Sequence, residues 1–98
     1  MQYKDFEFDW DEGNTHKIQA RFTLEEIEAF FSQELLYAED SRHSRQEPRE
    51  LAIGKSTNGK DMYVCFTIRG NKIRVISARY MRIKEVNKYE AFKKNKES

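Results

Sequence analysis

The side chains best suited to chemistry in this sequence are the cations of its last third: Arg69, Lys72, Arg74, Arg79, Arg82, Lys84 and Lys88. A guanidinium stays charged at physiological pH and grips a phosphate through two parallel N–H donors. That suits both binding of an RNA backbone and stabilisation of a phosphorane-like transition state. If these side chains converge, they form a phosphate groove. Cations on exposed strands and helices are also ordinary solubilising residues, and composition alone favours that plainer account. Arg74 and Arg79 stand five positions apart, an odd spacing that sends them to opposite faces of a regular strand. They share a site only where the strand bends, bulges or ends.

His43 offers a neutral imidazole that could take a proton from a ribose 2′-hydroxyl near neutral pH, although a lone loop histidine is more often a solvated bystander. His16 has no identifiable partner. Tyr80 and Tyr89 neighbour the basic groups, where rings could stack on bases, and their spacing fits packing equally well. Asp9, Asp11 and Glu12 could in principle hold Mg²⁺, but Asp9 belongs to the outward side of a strand pattern and Asp11 to a helix start. The chain has no glycine-rich phosphate loop, no Cys/His ligand cluster and no nucleophile elbow, so the expectation is no metal and no cofactor.

The elements that must position these groups follow from periodicity. Phe6, Phe8 and Trp10 alternate with Asp5, Glu7 and Asp9, predicting a strand over 5–10. Asp11 is a plausible cap for a short helix through Asn14 to about Gln19. Thr23 with Glu26 is a capping-box spacing ahead of the apolar set Leu24, Ile27 and Phe31, predicting a second helix that ends near Ser32. A short strand at 35–38 precedes a polar loop over 39–49 that carries Pro48. Three strands follow at 51–55, 61–69 and 72–80, joined by turns of hairpin chemistry at Asn58-Gly59 and Gly70-Asn71. An amphipathic helix is expected from Arg82 to about Lys94. This order predicts an α+β domain with a small, mainly antiparallel sheet, N-terminal helices on one side of it and a C-terminal helix.

At 98 residues the chain is one domain (1–98, with a flexible tail expected from about residue 93), able to bury roughly 60% of its unfolded surface. Thirteen aromatics among 38% hydrophobic residues exclude a disordered polyelectrolyte. The net charge of +1 is a cancellation: residues 1–40 hold 3 Lys/Arg against 11 Asp/Glu, and residues 41–98 hold 15 against 6. Such a division leaves self-association open, the acidic half of one copy against the basic half of another. The one cysteine, Cys65, cannot form an internal disulfide and suits a reducing compartment. With no secretory leader pattern and no run near the roughly 18 apolar residues that cross a bilayer, a cytoplasmic chain without membrane contact is expected.

From Phe6 to about Glu90 the residues resemble the BrnT family of bacterial type II toxins, whose members fold like RelE-type ribonucleases. The likeness begins at Phe8-Asp9-Trp10-Asp11-Glu12-Gly13-Asn14 with Lys17, and continues through Thr23-Leu24-Glu25-Glu26. It runs on through Asp40, His43-Ser44, Glu47 and Arg49, then Ile53-Gly54, Phe66-Thr67-Ile68-Arg69, Ile73 to Arg79, and Glu85 with Tyr89. Their order and spacing together are specific.

The resemblance implies a RelE-like fold and a ribonuclease that cleaves RNA without metal, by attack of a ribose 2′-oxygen on the adjacent phosphorus. It implies Arg74 and Arg79 as phosphate cations with Arg49 in support, and Lys17, His43 and Tyr89 in proton transfer or substrate positioning. Arg69, Lys72, Arg82, Lys84 and Lys88 would extend the RNA contact. It further implies a BrnA-like antitoxin, with the pair binding operator DNA. An inhibitor of an RNA site needs acidic or strand-like complementarity, which makes the hairpin edges and the basic last helix its natural docking surface. Where family members carry a Lys-His-Gly-Val-Ser-like stretch between the first two helices, this chain has Gln19-Ala20-Arg21-Phe22-Thr23. If the absent histidine is catalytic, activity is weak or lost; if it only caps the helix junction, little changes. The alternative to an enzyme is therefore a non-catalytic module that binds an antitoxin or RNA.

Overall fold

The computed structural model describes residue 3 and the stretches 5–39 and 47–97; His43 lies outside them. In chain order the elements are β1 (Glu7–Phe8), α1 (Glu12–Gln19), α2 (Leu24–Phe31), β2 (Leu36–Glu39), β3 (Glu50–Lys55), β4 (Asp61–Arg69), β5 (Lys72–Tyr80) and α3 (Ile83–Glu97). The five strands form one sheet in the order β1-β5-β4-β3-β2. Only the β1–β5 pair is parallel; the rest of the sheet is an antiparallel meander. This is the expected α+β class.

The core lies on one face of the sheet. Met62, Val64 and Phe66 of β4, Ile73 and Val75 of β5 and Ala52 of β3 meet Ile18, Phe22, Ile27, Phe30 and Phe31 from the two N-terminal helices. The strict alternation in β4 produces this directly, since every second side chain points to the helices. Phe31 and Phe66 pack edge to face with ring centroids 5.1 Å apart. The α2 start is the capping box that its sequence spells: Glu26 N–H donates to Thr23 Oγ1 at 3.0 Å, and Thr23 N–H to Glu26 Oε1 at 2.9 Å. At the β4–β5 turn, Gly70 takes φ +64°, the left-handed first position that a two-residue hairpin of the II′ type requires.

Two expectations need correction. The strand predicted over 5–10 pairs only at Glu7 and Phe8, because after Asp9 N–H bonds to the Ile73 carbonyl the next acceptor on that edge, the Val75 carbonyl, is taken by Asn14 Nδ2 at 3.0 Å. The last helix runs on to Glu97, beyond the expected end near Lys94, and Ile83 in its first turn is 78% exposed. Val86 and Tyr89 are only half-buried, so the helix lies against the body by a thin seam.

Candidate functional site

The face of the sheet away from α1 and α2 carries an open groove of about 940 Å³. That is within the size range of ligand clefts, roughly 300–1,000 Å³. Its floor follows from strand register. Leu51, Cys65 and Ser77 stand side by side across β3, β4 and β5, and Tyr63 is directly opposite Arg79.

What brings a cation of β5 to this face is a bulge. Cys65 pairs with Ser77 and Phe66 with Val75, leaving Ile76 without a partner in β4. The extra residue inverts the alternation. Before it, Ile73 and Val75 face the core; after it, Ala78 and Tyr80 do. Arg74 and Arg79, destined for opposite faces of a regular strand, therefore end on the same one.

They do not share a site there. Arg79 lines the groove, together with Lys17 in the last turn of α1, Arg21 just beyond that helix, Arg49 just before β3, and the carboxylates Glu39 and Glu85. Lys17 and Arg21 reach it because Ile18 and Phe22, one position on from each, are drawn into the core, which turns their neighbours outward over the edge of β5. Arg74 is instead a strut. Its Nη1 and Nη2 each lie 3.0 Å from an oxygen of Asp11, Asp9 Oδ2 is 3.5 Å away, and only 14% of the side chain is exposed. Asp11 accepts from Gly13 N–H as well, so one carboxylate caps α1 and ties it to β5. These partners hold the Asp11 carboxyl below its ordinary range, the Arg74 guanidinium contributing most. Asp9 and Asp11, considered for Mg²⁺, serve this cation; among the described residues no group of His, Cys, Asp and Glu is placed to hold a metal.

Arg79 is fixed from three sides. Its two terminal nitrogens reach the two oxygens of Glu85 at 2.7 Å each, Nη1 also donates to the Tyr80 carbonyl at 3.2 Å, and the guanidinium sits 4.9 Å from the centroid of the Tyr63 ring. Hydrogen bonds from the Arg79 guanidinium, reinforced by the Arg82 N–H, pull the Glu85 carboxyl down to about 2. Burial pushes the Tyr63 phenol up, so it stays protonated in the groove.

The other candidates lie elsewhere. Arg69 is clamped by Glu47 at 2.8 and 3.2 Å beside the β4–β5 hairpin. Lys72 is exposed opposite Glu7, and Arg82, Lys84 and Lys88 are exposed around the start of α3. Tyr89 is half-buried and feels the charges of Lys55 and Asp61 at the far hairpin, away from the groove. Tyr80 packs edge-on against Phe22 at 5.2 Å and is part of the structure beneath the site. Tyr63 and Ser77 were not singled out by sequence. Their alternation was visible, but which cation faced them depended on the bulge.

Over residues 10–85 the chain matches the family described as ribonuclease toxin, BrnT, of type II toxin-antitoxin system. The chain belongs to the BrnT family. Membership places it among ribonuclease toxins of type II toxin–antitoxin systems and implies an antitoxin partner. The matched span runs from Trp10 to Glu85, so both ends of the groove, Lys17 and Arg21 on one side and the Arg79–Glu85 pair on the other, fall inside the BrnT region. No curated protein and no solved structure matches the chain. Among the described residues no helix is long and apolar enough to cross a membrane.

Proposed function

We propose that this BrnT-family chain is a metal-independent endoribonuclease of the RelE-like type that holds RNA in the groove. The observation that carries the reading is the convergence of Lys17, Arg21, Arg49 and Arg79, four cations against the two carboxylates Glu39 and Glu85. In this reaction the ribose 2′-oxygen attacks the adjacent phosphorus in line as its proton passes to a base. The bond from phosphorus to the 5′-oxygen breaks, and that oxygen takes a proton from an acid. The products are a 2′,3′-cyclic phosphate and a 5′-hydroxyl end. Charge builds on the non-bridging oxygens, where Arg79 with Arg49 supplies fixed cations. Lys17 and Arg21 hold the flanking backbone, His43 carries the proton, and the protonated Tyr63 offers a hydrogen-bond donor and a ring face. Arg74, committed to Asp9 and Asp11, serves the scaffold rather than the phosphate.

The partner in this reading is a BrnA-like antitoxin in the cytoplasm that docks on the hairpin edges and the exposed Arg82, Lys84 and Lys88, the pair together binding operator DNA. Incubating the purified protein with RNA in EDTA tests the enzyme claim. Fragments with cyclic phosphate ends are expected, and Arg79→Ala should slow their formation by about 10²–10³. Absence of cleavage by the wild type, with no growth arrest on expression, would overturn it. A second reading, a regulatory module that binds its antitoxin without cutting RNA, draws on Arg21. It lines the groove from the segment Gln19 to Thr23, where the family resemblance implies a histidine that this chain lacks, and a guanidinium cannot shuttle a proton. Co-purification and operator binding without toxicity would select that reading.

A further inference from the structure

The Arg79–Glu85 pair has the form of a bound substrate. Carboxylate and phosphate present the same two-oxygen edge to a guanidinium fork, and here both forks of Arg79 are taken by one carboxylate at 2.7 Å inside the groove. The geometry points to Glu85 as an internal stand-in for phosphate: a phosphodiester gains the Arg79 fork only by displacing Glu85, and the first turn of α3 moves with it. This rests on reading the groove as a phosphate site, but not on cleavage.

Three features favour displacement over a merely supportive role for Glu85. Arg79 does not need the carboxylate to keep its place, because the Tyr63 ring beneath it and the Tyr80 carbonyl hold the guanidinium from β4 and β5. The segment that carries Glu85 is lightly held. Ile83 is 78% exposed, and among the described residues the Arg79–Glu85 bridge is the one ion pair between α3 and the sheet. The pair is also accessible, with 40% of the Arg79 side chain and 25% of the Glu85 side chain exposed, so an anion can approach it from solvent. The Arg74–Asp11 pair shows the contrast, since there the guanidinium is largely covered and an anion has no open approach to it.

Glu85 has a second duty that selects the right substitution. Its Oε1 also accepts the Arg82 N–H at 2.8 Å, securing the start of α3. In Glu85→Gln the amide oxygen can keep that bond, while the amide nitrogen cannot accept from the second arm of Arg79. The helix start is retained and the competitor for the fork is removed.

The experiment measures binding of inorganic phosphate and of a short single-stranded DNA, which carries phosphodiesters but no 2′-hydroxyl to react, at fixed ionic strength. Thermal melts first check that each variant is folded. Glu85→Gln is expected to bind both probes about fivefold more tightly than the wild type, the scale of one solvent-accessible ion pair removed as competitor. Arg79→Ala in the Glu85→Gln background should abolish the gain. Should Glu85→Gln fail to fold, Glu85→Asp, which keeps the charge on a shorter arm, should show a smaller gain in the same direction. Equal or weaker binding by the Gln variant, or a gain that survives loss of Arg79, would overturn the proposal, as would absence of binding by every form. Tighter binding with no RNA cleavage by the wild type keeps the displacement and removes the ribonuclease reading, so the two fail separately.

Discussion

Asn14 donates from Nδ2 to the carbonyl oxygen of Val75, 61 residues away in sequence, at 3.0 Å. The same nitrogen reaches the Asp9 carbonyl at 3.0 Å, and Oδ1 accepts the Asp11 N–H at 2.9 Å. With 4% exposure, this side chain is a buried polar joint where β1 ends, α1 begins and the bulged stretch of β5 starts. Replacing it with alanine strands two carbonyls, so Asn14→Ala should lower unfolding free energy by about 1–3 kcal/mol. Asn14→Asp should do no better, since a carboxylate cannot donate to either carbonyl. Urea melts of the two variants check this; a change below a few tenths of a kcal/mol would show that water replaces the side chain freely.

Arg74 and Arg79 should separate cleanly by substitution. Arg74→Ala removes the tie between β5 and the α1 cap and is expected to cost about 1 kcal/mol of stability. Arg79→Ala should also lower the melting temperature, through loss of its pair with Glu85, but it alone should remove RNA cleavage and phosphate binding. The paired measurement is a thermal melt beside a cleavage assay, and a reversed pattern would move the phosphate site to the Asp9–Asp11 end of the sheet.

The acid limb of stability should carry the signature of Glu85. Its carboxyl is held at about 2 against an ordinary 4.5, so the folded state binds this proton less readily than the unfolded chain. The resulting stability is fully present above about pH 5 and is lost as pH falls toward 2. Asp11 and Glu47, both lowered chiefly by hydrogen bonds from Arg74 and Arg69, act in the same direction. Glu85→Gln should therefore flatten the dependence between pH 5 and pH 2 relative to the wild type. Denaturant midpoints across that range test it, and parallel curves would show that the pair contributes nothing to folding.

Gly70 should resist substitution more than its open surroundings suggest. A Cβ there would meet nothing within 4 Å, yet φ is +64°. Gly70→Ala is expected to cost about 1 kcal/mol through backbone strain alone. Gly70→Asn, better tolerated in that region, should recover part of the loss in the same melt.

Residues 50–80 were legible because their signals are local. The alternation of Met62, Val64, Phe66 and Ile68 and the turn residues Gly59 and Gly70 each specify a conformation within a few positions, and β4 and β5 begin and end where the pattern places them. The Thr23–Glu26 cap is of the same kind. The groove was not legible, because membership depends on register. Ile76 carries no mark of a bulge, yet its lack of a partner in β4 decides which face Arg79 occupies. Arg74 has the same chemistry as Arg79 and adjoins Asp11 only once α1 is folded against β5, a meeting no spacing announces. The shortened β1 has the same origin, since a side chain from the following helix takes the acceptor that a longer strand would have used.

The parallel pairing of β1 with β5 also bears on when the protein can work. The β3–β4–β5 meander consists of neighbouring hairpins that close over short stretches of chain, whereas the first strand must find the last from Glu7 to Lys72, across the greater part of the chain. Closing the larger loop costs more chain entropy, so the hairpins are expected to fold first and the N-terminal segment to dock on them late. Lys17 and Arg21 travel with that segment, and Arg79 lies at the end of the last strand. During synthesis the two walls of the groove can meet only after most of the chain has left the ribosome. On this account the groove is assembled late, by the docking of the N-terminal segment onto the finished hairpins.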